Sequence, residues 1–192
     1  IDYFACNDKT HWRAAIAENE WRAAKHLARL LEQGNFHDEV GKGTVYLLTE
    51  GDKLVSFLTL AERDCVDVPY GPWIGFVHTA PEYRGHRHVG KLIDHACAVA
   101  GKHDVDRVYL CTDHVGLYEK YGFSYETNVE INMDGVDGSE RMAALMVSLR
   151  ENSPKCFGGV DVAVLAAPAH LGQTAAEITG IGVLGGDDLL AL

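Results

Sequence analysis

A basic stretch in the middle of the sequence has the residue types to bind phosphate. It reads PEYRGHRHVGKLID at residues 81–94 and combines Arg84, Arg87 and Lys91 with two histidines, in a chain whose net charge is −11. A strand that turns through such a loop into a helix aims backbone N–H groups and the positive end of the helix dipole at one point. The stretch therefore predicts a phosphate site at the start of a helix.

The same stretch matches the opening of a nucleotide-binding P-loop, G-x-x-x-x-G-K, from Gly85 to Lys91. However, Leu92 stands where that loop needs a Ser or Thr hydroxyl for Mg²⁺. Cleavage of a nucleoside triphosphate loses its main charge stabiliser without this metal ligand. We interpret Leu92 as a core-facing helix leucine and expect a phosphate-bearing molecule that is not cleaved at phosphate. A P-loop nucleotide binder stays as the weakest alternative.

Histidines in and around the stretch could also hold a metal ion. His86 and His88 would be joined by His78 or His114, but H-x-H arises readily by chance among ten histidines. The five cysteines are scattered and contain no C-x-x-C pair, which predicts reduced thiols rather than disulfides or a zinc site. We therefore expect no bound metal.

Apolar residues at helical spacing predict the helices that position these side chains. Thr10 can cap the first helix, and Asn19 and Gly34 can cap the start and the end of the second. A brief helix near the end of the domain can be capped by Thr112 or Asp113. The predicted helices cover residues 11–17, 19–34, 89–100 and 113–122.

Runs of β-branched and aromatic residues predict six strands; the last could also be a helix, but a strand is favoured. The turn EGDK at residues 50–53 joins the first two strands as a hairpin, and residues 133–139 form a second hairpin loop. The stretch GNFHDEVGKGT at 34–44 is turn-like. The predicted strands cover residues 45–49, 54–61, 73–80, 106–112, 123–133 and 140–150.

Composition limits the class of protein. The sequence is 47% hydrophobic and 23% charged over 192 residues, and no segment approaches the roughly 20 uninterrupted apolar residues of a membrane span. We expect one folded domain at 1–150 and an Ala/Gly-rich C-terminal appendage at 151–192. The acidic balance argues against nucleic acid as a partner. A cytoplasmic protein without a signal peptide or a membrane partner is expected.

The basic stretch and LYEKYGF at residues 117–123 together resemble the GNAT superfamily of acetyl-CoA-dependent N-acetyltransferases. The resemblance covers about residues 1–149. It implies an α+β fold, a mixed and mostly antiparallel β-sheet flanked by helices. In this fold a bulge splays strand 73–80 from strand 106–112, and the pantetheine arm of the cofactor lies in the opening.

The resemblance also implies where the co-substrate acetyl-CoA binds. Val77 and Thr79 would offer backbone groups to the pantetheine arm and the thioester. The small residues of the family's phosphate loop fall on Arg87 and Val89, so these side chains must point away from the cofactor. The implied phosphate-loop residues are Arg84, Gly85, His86, Arg87, His88, Val89, Gly90 and Lys91.

The resemblance implies one residue as the acid of the reaction, but several candidates remain for the base. The resemblance gives the hydroxyl of Tyr118 the role of protonating or hydrogen-bonding the departing thiolate, although a core tyrosine is the alternative. His114 lies one helical turn before Tyr118 in the predicted helix, and His78 lies in the splayed strand. Either histidine is a candidate base, and water is a third route.

The expected function is N-acetylation of a primary amine on a small molecule, a peptide N-terminus or a lysine. A cationic acceptor such as an aminoglycoside or a polyamine would suit the acidic residues near the first helices, which are Glu18, Glu20, Glu32, Asp38 and Glu39. A non-catalytic acyl-CoA-binding or sensing domain is the main alternative. Whether the chain forms a homodimer stays open.

Overall fold

The computed structural model describes residues 1–131 and 141–149. Within these ranges the strands form one six-stranded sheet in the order β1-β2-β3-β4-β6-β5, and all neighbours except β3 and β4 are antiparallel. The strands are β1 Gly43–Glu50, β2 Lys53–Ala61, β3 Trp73–Thr79, β4 Arg107–Thr112, β5 Phe123–Ile131 and β6 Arg141–Leu149. The helices are α1 Lys9–Ala17, α2 Arg22–Gln33, α3 Phe36–Val40 and α4 His88–Lys102, with 3₁₀ turns at Pro81–Tyr83 and Tyr118–Tyr121.

This architecture confirms the predicted α+β fold with a mixed, mostly antiparallel sheet. The six strands occur where the sequence predicts them, including the last one, which pairs with both β4 and β5. The hairpin loop predicted at 133–139 lies outside the described residues, as does the appendage at 151–192. No helix in the described ranges is long and apolar enough to cross a membrane.

The two helices at the start differ from the prediction at their N-termini. Asp8 rather than Thr10 caps α1, because its carboxylate accepts from the backbone N–H of His11 at 3.0 Å. Helix α2 begins at Arg22, and its N-cap residue Trp21 makes no side-chain cap bond. Gly34 ends α2 in the left-handed conformation, as predicted.

Two short segments also correct the prediction. Phe36–Val40 in the turn-like stretch forms the one-turn helix α3, because Phe36 and Val40 are both buried against the first helices. The helix predicted at 113–122 is only the 3₁₀ turn Tyr118–Tyr121, closed by Gly122 in the left-handed conformation. The Thr112 hydroxyl accepts from the N–H of His114 in a separate turn. His114 therefore does not lie one helical turn before Tyr118.

Helices cover the two faces of the sheet. On one face α4 buries Leu92, 1% exposed, with Ile93 and Ala96 against Leu58 and Leu110. On the opposite face α1 and α2 bury an apolar cluster against β1 and β2. Further along that second face, Val66 and Val68 of the β2–β3 connection pack on a third cluster that contains Trp73, Tyr109, Val129, Leu145 and Val147.

A bulge in β3 opens the sheet between β3 and β4. Phe57 pairs with His78 and Thr59 pairs with Gly75, so one residue of β2 lies opposite two residues of β3. Phe76, the first of these two, has a φ of 48°. Ladder pairing between β3 and β4 is limited to Trp73↔Tyr109. The predicted splay of these two strands is therefore confirmed.

Candidate active site

The opening between β3 and β4 leads into a cavity of about 1690 Å³. Its walls come from the α1–α2 connection, the end of β3, the loop before α4 and the 3₁₀ turn at Tyr118. The structure brings ten predicted site residues together here: Val77, His78, Thr79, Arg84, Gly85, Arg87, His88, Val89, His114 and Tyr118. It leaves His86, Gly90 and Lys91 outside this lining.

The loop before α4 has the backbone shape of an anion cradle. Gly85 has a φ of 83° and Arg87 a φ of 58°, so the chain turns twice through the left-handed region before the helix begins. No side chain caps the first turn of α4. Nδ1 of His88 is buried without a hydrogen-bond partner among the described residues. These features fit an anionic group at the start of α4.

Arg87 stands where the resemblance places a small residue, and its conformation explains how it fits. Its backbone adopts the left-handed geometry that glycine takes readily. Its guanidinium lies over the ring of Tyr121, 5.8 Å from the ring centroid. The loop therefore keeps the backbone shape of the glycine position and adds a positive charge at the cavity wall.

The three predicted loop residues outside the cavity lining have other surroundings. A Cβ added to Gly90 would lie 2.6 Å from the Tyr121 ring, so the absence of a side chain at Gly90 lets helix and ring pack closely. His86 and Lys91 line a smaller pocket together with residues of β1 such as Glu50. This pocket has a volume of about 540 Å³.

Side-chain hydrogen bonds hold the end of β3 in place. The Ser56 hydroxyl donates to the carbonyl of His78 at 2.6 Å and lies 2.9 Å from the Thr79 hydroxyl. Nε of Arg84 donates to the carbonyl of Thr79 at 3.1 Å. Val77 packs against the α4 cluster. Arg84, the first arginine of the loop, is thus hydrogen-bonded to the end of β3, which borders the opening.

Tyr118 lies at the opening with only 7% of its surface exposed. Its ring makes an edge contact with Phe123, with centroids 6.2 Å apart. Burial, and then the nearby Tyr121 and Asp64, raise the pKa of Tyr118 to about 12. The phenol therefore keeps its proton at neutral pH, as a proton donor must.

His78 faces the α1–α2 side of the sheet, where Asn19 contacts it. The Oδ1 atom of Asn19 accepts from the N–H of Trp21 at 2.9 Å, so its Nδ2 group is the donor toward Nε2 of His78. Burial, and then the charge of Arg84, lower the pKa of His78. The imidazole is therefore neutral, with its proton on Nδ1 and its Nε2 lone pair engaged.

His114 lines the cavity from the turn that follows β4. Its side chain is exposed, and its backbone N–H donates to the Thr112 hydroxyl at 3.0 Å. The two predicted histidines therefore lie at the same cavity in different surroundings, His78 fixed by its neighbours and His114 open to solvent.

Three residues that the sequence did not single out for chemistry also lie at or near the opening. Asn19 and Trp21 line the cavity, and Trp21 is 40% exposed although its position fits the apolar pattern of the second helix. Asp64 lies in the β2–β3 connection, where burial raises the pKa of its carboxyl group. In the sequence, the only hint of their role was that Asn19 and Trp21 directly precede α2. Residues that cap a helix occupy the same positions, so the hint is not specific.

The acetyltransferase (GNAT) domain family matches residues 10–126, which is more than half of the chain. The chain therefore belongs to this family, and both the resemblance and the prediction of an N-acetyltransferase are confirmed.

Solved structures share the fold at low sequence identity. A chimeric spermidine N-acetyltransferase from Vibrio cholerae has a TM-score of 0.52 and 17% identity, over 75% of this chain and 90% of that chain. A GNAT-family acetyltransferase from Streptococcus pneumoniae has a TM-score of 0.51 and 17% identity, over 74% and 94%. No curated protein matches the sequence.

Proposed function

We propose that this protein transfers an acetyl group from acetyl-CoA to the primary amine of a small cationic molecule. One observation carries the proposal: a single cavity joins the anion cradle before α4, the splayed end of β3 and the protonated phenol of Tyr118. Acetyl transfer needs these three parts together, because the donor must be held by its phosphates, its carbonyl must be positioned, and its thiolate must be stabilised.

Acetyl-CoA would be held mainly by the loop before α4. Arg84, Gly85, Arg87, His88 and Val89 line the cavity there, and no side-chain cap would compete with an anion at the first turn of α4. When bound, acetyl-CoA supplies a thioester whose acyl carbon an amine can attack. Val77 and Thr79 border the path between this loop and Tyr118.

Tyr118 would donate a proton or a hydrogen bond to the departing sulfur. Its raised pKa keeps the phenol protonated through the physiological range. Its ring packs against Phe123, and its helical turn is closed by Gly122, so the hydroxyl is held in position before the substrate arrives. Of the two predicted bases, His114 is solvent-accessible at the cavity, whereas Nε2 of His78 is already engaged by Asn19.

The cavity wall opposite the loop suits a cationic acceptor. It presents the partly exposed indole of Trp21 with the carboxylates of Glu18 and Glu20 on either side along the chain. An ammonium group is attracted by an aromatic face and by carboxylates. Spermidine, which names one of the structural relatives, is the first acceptor to test, followed by an aminoglycoside.

The sequence also left open a non-catalytic acyl-CoA-binding domain, because Arg87 and Val89 stand where the family's loop carries small residues. The family match and the glycine-like backbone of Arg87 both favour the enzyme instead. Calorimetry with acetyl-CoA, together with free-thiol release over a panel of amines, separates the two. Saturable release of thiol with a cationic amine supports the enzyme. Acetyl-CoA binding without thiol release for any primary amine favours the binding domain. Weaker release with uncharged amines of similar size would support the charge preference.

We further infer a cytoplasmic location. The four described cysteines, Cys6, Cys65, Cys97 and Cys111, are free thiols, which fits a reducing compartment. Acetyl-CoA as co-substrate fits the same compartment.

A further inference from the structure

Asp64 places a carboxyl group beside Gly75, next to the bulge in β3 and outside the residues that line the cavity. A Cβ added to Gly75 would lie 3.5 Å from each carboxylate oxygen of Asp64. Gly75 directly precedes the bulge residue Phe76, two residues beyond the last ladder pair, Trp73↔Tyr109. The missing side chain of Gly75 therefore leaves the space that the carboxyl group occupies.

The surroundings of Asp64 contain few groups that could neutralise its charge. Its Oδ1 accepts from the N–H of Cys65 at 2.8 Å. Within the described ranges it makes no ion pair with Lys, Arg or His. The titratable groups that face it are the thiols of Cys65, from its own connection, and Cys111, from β4, together with the phenol of Tyr118. No titratable group faces it from β3, where the nearest residue is Gly75.

A carboxylate without a cationic partner in such a place costs free energy to desolvate. Burial raises the pKa of Asp64, and hydrogen bonds from the backbone N–H and the thiol of Cys65 offset only part of this effect. A carboxylate of this kind binds a proton more tightly than an ordinary aspartate does, which makes it a stronger base.

Asp64 and Tyr118 are close enough to influence each other electrostatically, although they belong to segments on opposite faces of the sheet. Tyr118 belongs to the apolar cluster on the α4 face, where the acetyl-CoA loop also lies. Asp64 belongs to the connection that covers the other face, beside Val66 and Val68. The α1–α2 connection, with Trp21, covers this second face as well.

We propose that Asp64 is the proton acceptor for the amine that is acetylated. The N–H bond of the acceptor's ammonium group breaks, the proton passes through water to a carboxylate oxygen of Asp64, and the electron pair stays on nitrogen as the attacking nucleophile. The proton returns to solvent after the product leaves. This inference rests on the proposed function and names the base that the two histidines leave unassigned.

The pH dependence follows from the direction of the pKa shift. Asp64 accepts a proton only as the carboxylate, so turnover falls as the pH drops through its raised pKa. This fall of kcat at low pH, the acid limb of the pH profile, therefore lies at a higher pH than an ordinary aspartate would give. An amide at the same position removes the limb.

The test is Asp64→Asn, which keeps the side-chain volume and an oxygen for the Cys65 N–H. We expect kcat/KM for a cationic amine to fall roughly 10²- to 10⁴-fold, the KM for acetyl-CoA to stay within about twofold, and the acid limb of kcat to disappear. Asp67→Asn is the matched control, because Asp67 is exposed in the same connection. It should retain wild-type kinetics, and His114→Gln should retain the acid limb.

A second acceptor separates proton removal from a structural role. Hydroxylamine is already neutral at assay pH, so it does not need a base before it attacks. The Asp64→Asn defect should therefore be at least tenfold smaller with hydroxylamine than with the cationic amine. An equal defect with both acceptors would show that Asp64 acts structurally and would overturn the proposal.

The outcomes also distinguish this inference from the proposed function. If the wild-type protein releases no thiol with any amine, the proposed function fails. If the wild type is active and Asp64→Asn matches it, or if His114→Gln removes the acid limb, only the assignment of Asp64 fails.

Should the Asn variant not fold, Asp64→Glu replaces it and must keep an acid limb at a shifted pH. A Glu variant with an unshifted limb would count against Asp64.

Discussion

The indole of Trp21 stacks on the imidazole of His78, with ring centroids 5.7 Å apart and ring planes 18° from parallel. Asn19 engages Nε2 of the same imidazole, so two residues of the α1–α2 connection are fixed to the end of β3. Phe57 of β2 contacts the imidazole at 5.3 Å between ring centroids. His78 thus fixes Asn19 and Trp21, which belong to the cavity wall that we assign to the amine acceptor.

Removing this attachment should weaken binding of the amine and leave acetyl-CoA binding unchanged. We expect Asn19→Ala to raise the KM for the amine about five- to tenfold, because one buried side-chain hydrogen bond contributes about 1 kcal/mol. The KM for acetyl-CoA should change less than twofold. Asn35→Ala is a control, since Asn35 is exposed and its side chain makes no cap bond. Equal increases in both KM values would contradict the assignment of this wall.

The same contact should depend on pH. His78 must be neutral for its Nε2 to accept from Asn19, and its pKa is lowered by burial and by Arg84. As the pH falls through this lowered pKa, Nε2 takes up a proton, the contact is lost, and the KM for the amine should rise. Asn19→Asp should reverse this dependence, because a carboxylate accepts a hydrogen bond from the protonated imidazole and so gains the contact as the pH falls. Initial rates between pH 5 and 8 would reveal the reversal, and a profile unchanged from the wild type would speak against the neutral imidazole.

Tyr118→Phe should slow turnover while leaving acetyl-CoA binding nearly intact. Loss of the phenolic proton should lower kcat at least tenfold, in keeping with the usual size of general acid catalysis. The wild type should show no loss of activity from Tyr118 up to about pH 11, because its pKa is raised to about 12. Tyr125→Phe, at an exposed position on β5, serves as the control. Wild-type kcat in Tyr118→Phe would remove this tyrosine from the mechanism.

Arg87 offers a comparison that separates backbone strain from charge. Arg87→Gly and Arg87→Ala both remove the guanidinium, so both should weaken acetyl-CoA binding by a similar factor in calorimetry. Only glycine relieves the left-handed backbone at this position. The Gly variant should therefore be more stable to urea than the Ala variant by about 1 kcal/mol. Equal unfolding free energies would mean that the loop relaxes out of this conformation.

Gly90→Ala should destabilise the protein through the Tyr121 ring. The added methyl would lie 2.6 Å from that ring, and overpacking of this kind typically costs about 1–3 kcal/mol. Alanine gains roughly 1 kcal/mol in helix propensity, so a net loss of about 1 kcal/mol is expected. In a Tyr121→Ala background the clash is absent, and the same change should become stabilising. A loss in both backgrounds would point to a cause other than this ring.

Local sequence signals were sufficient for most elements of the fold. Strands β1 to β4 and helix α4 follow from apolar periodicity and turn residues, because each of them buries one or two faces of its own. The N-terminus of α2 was less predictable. Asn19 has the residue type of a helix cap, but its amide is used by Trp21 and by His78, a residue distant in sequence. Such a tertiary contact leaves no local pattern.

The candidate site likewise contains residues that could be predicted from the sequence and residues that could not. The loop before α4 and the position of Tyr118 at the cavity could be predicted, because each lies in a short motif whose spacing is set by one turn and one helix. Gly90 matched that motif, yet it packs against Tyr121 outside the cavity lining. Asp64 could not be predicted, since its position depends on a long connection folding back beside Gly75. No residue near Asp64 in sequence signals that approach.

The bulge at Phe76 has a consequence for the order of events in turnover. It leaves Ile74 and Val77 on the α4 face and Phe76 on the α1–α2 face, so donor and acceptor can approach one opening from two sides and occupy it together. The nearby Cys111 thiol, whose pKa is raised to about 12, is a poor nucleophile for a covalent relay. Both substrates should therefore be bound before either product departs, and double-reciprocal plots should intersect rather than run parallel.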